Sequence, residues 1–122
     1  MLWPPTVFPN NWFSLCRGAL VLYPMKCPNR AAERRPELVE WLRAKRCALR
    51  VLDLTDAERE TPRRALEGTG SLVFDHLGHG VAYMARSERC DSALAQRCAD
   101  FLGFQELHAF DATDAHGRPV CA

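Results

Sequence analysis

The chain has 122 residues, enough for one small domain that buries roughly two-thirds of its unfolded surface on folding. Its apolar (48%) and charged (25%) fractions are ordinary for a globular protein. A formal net charge of +1, with 14 arginines and two lysines dispersed among acidic residues, offers no converging cationic surface and argues against nucleic acid as a partner.

The opening MLWPPTVFPNNW has no basic run and carries three prolines in its first nine residues, so it reads as neither a secretory signal nor an amphipathic presequence. Apolar runs of about four to six residues are far short of the roughly 20 that cross a bilayer. The expectation is a cytoplasmic protein with no membrane contact. Six cysteines (Cys16, Cys27, Cys47, Cys90, Cys98, Cys121) form no CxxC pair, and Cys47 and Cys98 sit among apolar neighbours. Reduced structural thiols are expected, with no zinc site and no cofactor.

Next, Gly18-Ala-Leu-Val-Leu-Tyr23, closed by Pro24, reads as a buried strand. Residues 33–46 follow with helical spacing of Leu38, Trp41 and Leu42, and Pro36 suits the first turn, where a missing N–H costs little. Ala48 to Leu54 alternates as a strand, and the polar stretch Thr55 to Ala65 suits a surface connection. Ser71–Phe74 and Val81–Ala85 read as a hairpin around Asp75-His-Leu-Gly-His-Gly80. Asp91 or Ser92 can cap a helix that ends at Leu102, with Leu94, Cys98, Phe101 and Leu102 on one stripe and Gly103 just past its end. Gln105–Phe110 returns as a strand, and Asp114–Gly117 is a turn.

This order, strand-strand-helix-strand twice over, predicts an α/β protein with helices outside mixed sheets. The division would be 1–54 for the first ββαβ unit, 55–65 for the connection and 66–122 for the second.

Two stretches carry more than structure requires. In Val7-Phe-Pro-Asn-Asn-Trp-Phe-Ser14, Asn10 and Asn11 beside Trp12 fit an Asx-type turn under aromatics. They equally fit a grip on a planar hydrogen-bonding ligand. In Leu66-Glu-Gly-Thr-Gly-Ser71, Glu67 heads a glycine-rich turn in which Gly68 and Gly70 permit positive φ or close backbone approach. The turn precedes a strand and lacks the phosphate-loop spacing. A carboxylate there suits orientation of an imidazole or contact with a cationic substrate.

The segments Phe8-Pro-Asn-Asn-Trp-Phe-Ser14, Leu22-Tyr-Pro-Met25, Pro28-Asn-Arg30, Glu33-Arg-Arg35 and Leu66-Glu-Gly-Thr-Gly-Ser-Leu72 stand in an order that resembles the arginine-deiminase-related citrulline-utilisation hydrolases of the pentein (amidinotransferase-like) superfamily. The likeness runs over nearly the whole chain, through Val81-Ala-Tyr83, Ser87, Arg89 and the Phe110…Asp114…Gly117…Pro119 tail. It implies a partial α/β propeller holding about two of five ββαβ units. The implied chemistry is cleavage of a guanidino or ureido C–N bond through a covalent Cys intermediate, with a Glu-oriented His moving protons. By position, Glu67 matches the His-partnering catalytic Glu. Asn11, with Asn10, Trp12 and Gly68, matches the substrate grip, and Asn11 in place of Asp suits a neutral ureido group better than a guanidinium.

Gly70 stands where the deiminases carry a further Asp, and Leu15-Cys16 replaces the family's FS-x-H histidine. The family's catalytic His stretch would begin where Cys121-Ala122 stands, and the nucleophilic Cys lies further on. The resemblance therefore implies a chain truncated at both ends and inactive alone, with a small guanidino or ureido amino acid as ligand and a tendency to self-associate or to need a complementing chain. The alternative is a non-catalytic binding module of the same fold.

Overall fold

The computed structural model describes residues 11–45, 50–75 and 77–118. Asn10, Cys47, His76 and Cys121 lie outside the described residues. Among the described residues, six strands form two three-stranded mixed sheets, accompanied by three α-helices.

In the first sheet β1 (Phe13–Cys16) and β2 (Ala19–Leu22) are antiparallel, and β3 (Arg50–Asp53) lies parallel to β2. β1 falls in the stretch that resists a structural reading from sequence. Its hairpin turns at Arg17-Gly18, where φ of 53° and 72° supply the twist that a tight hairpin needs. A short helix α1 (Pro28–Ala31) precedes α2 (Pro36–Ala44), in which Pro36 occupies the first turn as expected. Leu38, Val39 and Leu42 of α2 pack on Phe13, Leu20 and Leu22, one face of the sheet.

The second sheet repeats the plan. β4 (Leu72–Phe74) and β5 (Val81–Ala85) form the expected hairpin, and β6 (Glu106–Phe110) runs parallel to β5. Between them α3 (Ser92–Leu102) starts at Asp91, whose carboxylate accepts the Leu94 N–H, and ends at Gly103 with φ 81°. Both signals are local, which is why this helix is readable residue by residue.

The main core holds Cys16, Ala19, Val21 and Leu52 from the inner face of the first sheet. Leu94, Cys98 and Leu102 of α3 meet them, and Leu72, Ala82 and Met84 of the second sheet complete the cluster. The layers thus run α2, first sheet, α3, second sheet. Two arginines of the first sheet fasten the end of α3. Arg17 Nη1 donates to Leu102 O (3.2 Å) with its guanidinium over Phe104, and Arg50 Nη2 donates to Phe101 O (2.9 Å) with its guanidinium over Phe101.

The connection at 55–65 departs from a plain surface loop. It begins as a short 3-10 helix, Thr55–Arg59, that buries Ala57 and turns Glu58 inward. Glu58 accepts the Met25 N–H (2.6 Å) and two guanidinium N–H groups of Arg34. Burying a carboxylate is tolerable here because its partners are buried with it.

Candidate functional site

Three backbone contacts fix the place where the sequence candidates meet, and the first of them joins the two units. Leu66 N–H donates to Pro24 O (2.9 Å), Glu67 N–H to Arg89 O (3.1 Å) and Asp91 N–H to Ala65 O (2.7 Å). Glu67 is thereby held at the seam between the end of β2 and the loop before α3.

Its side chain is buried, 4% exposed, and Oε2 accepts the backbone N–H of Lys26 at 2.9 Å. Oε1 lies 3.8 Å from Arg89 Nε, an electrostatic rather than a hydrogen-bond distance. Ser71 supports the turn: its Oγ accepts from Glu67 N (3.3 Å) and donates to Arg89 O (2.8 Å). Gly68 adopts φ 48° at the start of a short 3-10 turn through Gly70, the positive φ anticipated for it. An L-residue there would carry strain of roughly 1 kcal/mol.

Asn11 reaches the same place from the other end of the chain. A Cβ added at Gly70 would sit 3.6 Å from Asn11 Oδ1 and 3.8 Å from Glu67 Cβ, so both residues border the glycine. The structure therefore brings Asn11, Glu67 and Gly68 into one neighbourhood. Trp12 is placed differently: it is buried, its ring packs on Phe13 with centroids 4.5 Å apart, and its carbonyl accepts the Tyr23 N–H. Its remaining surface lines a cleft of about 260 Å³ with Leu22, Arg34, Val39 and Asp53. Asn10 lies outside the described residues.

The sequence reading gives Arg30 and Glu33 no site role, although both stand in the segments that carry the resemblance. Arg30 Nε is 2.7 Å from Oε1 of Glu33, a carboxylate only 3% exposed. Oε2 of Glu33 is buried without a hydrogen-bond partner among the described residues. The i, i+3 spacing from the last turn of α1 was the available clue. Cys27, exposed, follows Lys26 directly.

The remaining titratable groups lie elsewhere. His79 Nδ1 pairs with Asp75 (2.6 Å) and His108 Nε2 with Glu106 (2.8 Å), both exposed. Burial pushes the Cys98 thiol from 9.0 up to about 12 and the Cys90 thiol to about 11. Neither is a thiolate at neutral pH, so neither is a nucleophile there. No group of three or more His, Cys, Asp or Glu side chains is placed to hold a metal ion among the described residues. No helix among them is long and apolar enough to cross a membrane.

What this arrangement provides is a fixed carboxylate on Glu67 and a neutral amide on Asn11, both beside Gly70. A family model described as N,N dimethylarginine dimethylhydrolase, eukaryotic, matches residues 3–122. No curated protein and no solved structure matches the chain. A mixed α/β chain with a buried glutamate in its glycine turn, matched over nearly its whole length, belongs to the eukaryotic N,N-dimethylarginine dimethylhydrolase family of the arginine-hydrolase (pentein) superfamily, hydrolases of guanidino compounds.

Proposed function

We propose that this chain supplies the substrate-holding and carboxylate-bearing part of a site that cleaves the C–N bond of a ureido or guanidino amino acid. The observation that carries the reading is the meeting of Glu67 and Asn11 across Gly70, from positions far apart in sequence. Glu67 is the catalytic carboxylate, a group that orients a protonated imidazole and stabilises the charge it gains during proton transfer. Asn11, helped by Asn10 and the backbone at Gly68, holds the planar head group, and Trp12 stiffens that segment.

Electrostatics favours a neutral head. Asn11 brings no charge, and the charge of Glu67 is partly offset by Arg89 at 3.8 Å. A ureido group such as that of citrulline fits these partners better than the guanidinium of arginine or N,N-dimethylarginine. The full reaction also needs a thiolate to attack the carbon and a histidine to protonate the departing nitrogen. Among the described residues, His79 and His108 are engaged away from Glu67, and the Cys90 and Cys98 thiols are buried and protonated. In this reading the chain by itself is a binder rather than a catalyst, part of a propeller of repeated ββαβ units in the citrulline branch of the superfamily.

Titration calorimetry with citrulline, arginine and N,N-dimethylarginine tests this. Citrulline should bind most tightly, and both Asn11→Ala and Glu67→Ala should weaken it while leaving the fold intact. Absence of heat at millimolar citrulline, or tighter binding of the cations, overturns the substrate assignment. Release of amine or ammonia by the isolated chain overturns the assignment of a non-catalytic role.

A further inference from the structure

The stretch between β2 and α1 is held largely by side chains. Tyr23 O accepts Arg34 Nη1 at 3.0 Å, and two successive peptide groups follow, each gripped at both ends. In the Pro24–Met25 peptide the carbonyl accepts the Leu66 N–H (2.9 Å) and the N–H donates to Glu58 Oε2 (2.6 Å). In the Met25–Lys26 peptide the carbonyl accepts Arg63 Nε (2.9 Å) and the N–H donates to Glu67 Oε2 (2.9 Å). This second peptide therefore carries a guanidinium at its negative end and the site carboxylate at its positive end.

Arg63 gains little else from its position. Among the described residues its Nη2 is buried without a hydrogen-bond partner, and its ion pair with Glu58 is long at 3.8 Å. A buried nitrogen left unbonded costs stability, so stability alone gives no reason for an arginine here. Arg63 and Glu67 form no ion pair with each other; Oε1 of Glu67 lies instead 3.8 Å from Arg89 Nε. The connection from Arg63 to the carboxylate runs through one peptide.

A cation on a peptide oxygen draws electron density toward it and leaves the N–H more positive, so hydrogen bonds in series strengthen one another. We propose that Arg63 is a positioning residue for Glu67, acting through the Met25–Lys26 peptide to pin Oε2 and leave Oε1 to meet the imidazole. The inference rests on Glu67 being the catalytic carboxylate of the reading above.

Two variants separate charge from contact. Arg63→Gln keeps a donor for the Met25 carbonyl and removes the charge, whereas Arg63→Lys keeps the charge. The chain holds three methionines and only Met25 precedes a lysine, so carbonyl-labelled methionine with nitrogen-labelled lysine gives a single signal for this peptide. Glu67→Gln should move that carbonyl signal, and the displacement should fall by about half or more in the Arg63→Gln background, because both charges act on one peptide. Equal displacement in the two backgrounds overturns the proposal. In the citrulline titration Arg63→Gln should weaken binding about fivefold and Arg63→Lys less than about twofold. Equal losses would make Arg63 a mere brace of the loop and overturn the proposal as well. The carbonyl signal needs no ligand, so a failed citrulline titration removes the substrate assignment while the labelled peptide still decides the role of Arg63. Should Arg63→Gln lose its thermal transition, Glu67→Gln carries the test alone. It should move the Nε–H resonance of Arg63, a group that Glu67 does not touch, and an unmoved resonance overturns the proposal.

Discussion

Glu58→Gln isolates one interaction that holds the frame of the site. The glutamate is 11% exposed and its main partner Arg34 22%, so neither charge is well solvated. Glu58 accepts the Met25 N–H at 2.6 Å and Arg34 Nη1 at 2.7 Å, with Arg34 Nη2 on its other oxygen and Arg63 Nη2 at 3.8 Å. Glutamine preserves the volume and one acceptor but turns an N–H₂ group toward a guanidinium. Two charge-assisted bonds, each about 1.5–3 kcal/mol, are lost or inverted. Arg34 keeps its bond to Tyr23 O at 3.0 Å, which limits the damage. The net cost should be about 3 kcal/mol, the lower range for breaking one side of a buried pair. With an unfolding entropy of about 2.1 cal/mol/K per residue, that corresponds to a fall in Tm of roughly 12 °C. Urea unfolding at unchanged m would measure it, and a double-mutant cycle with Arg34→Met should show the two losses to be strongly non-additive. A loss below about 0.5 kcal/mol would refute the reasoning, because it would place the pair with exposed ion pairs.

Asp91→Ala removes the carboxylate that caps Leu94 N–H and contacts Arg64 at 3.3 Å, and should cost about 1 kcal/mol in denaturant unfolding. Arg50→Ala strips the cap at Phe101 O and the guanidinium over that ring; it should cost about 1 kcal/mol and speed amide exchange in the last turn of α3. Thiol labelling at neutral pH should modify exposed Cys27 quickly and leave buried Cys16, Cys90 and Cys98 unreacted until unfolding. Because burial raises the Cys90 and Cys98 thiols in the folded chain to about 11 and 12, the unfolded chain releases those protons first. Stability should therefore be intact below about pH 9 and fall as pH rises through 9 toward 12; Cys98→Ala should reduce that slope.

Legibility in the sequence depended on how local the cause was. α3 is encoded by Asp91, its apolar stripe and Gly103, all within one helix length, and it forms where those residues place it. β1 is implied by the ββαβ order but has no readable bounds in the sequence, because four residues with an aromatic at one end carry no clear alternation. Its strand character comes from pairing with β2. Thr55 to Ala65 reads as surface because charge normally means solvent, yet Glu58 is partly buried, its carboxylate covered by guanidinium groups from Arg34 and Arg63. Glu67 stood out for its glycine turn and Asn11 for its neighbours. Their convergence across Gly70 depends on long-range backbone pairing, Tyr23 with Trp12 and Leu66 with Pro24, that no local pattern announces.

The bond from Lys26 N–H to Glu67 Oε2 has a spectroscopic consequence. Most protected amides point at carbonyls, whose charge does not change with pH. This one points at the carboxylate assigned to the chemistry, so its proton resonance should move whenever that carboxylate gains a proton, rotates or is drawn toward a bound head group. A single peak in an amide correlation spectrum thus becomes a built-in electrode at the centre of the site, readable without a probe and without catalytic turnover.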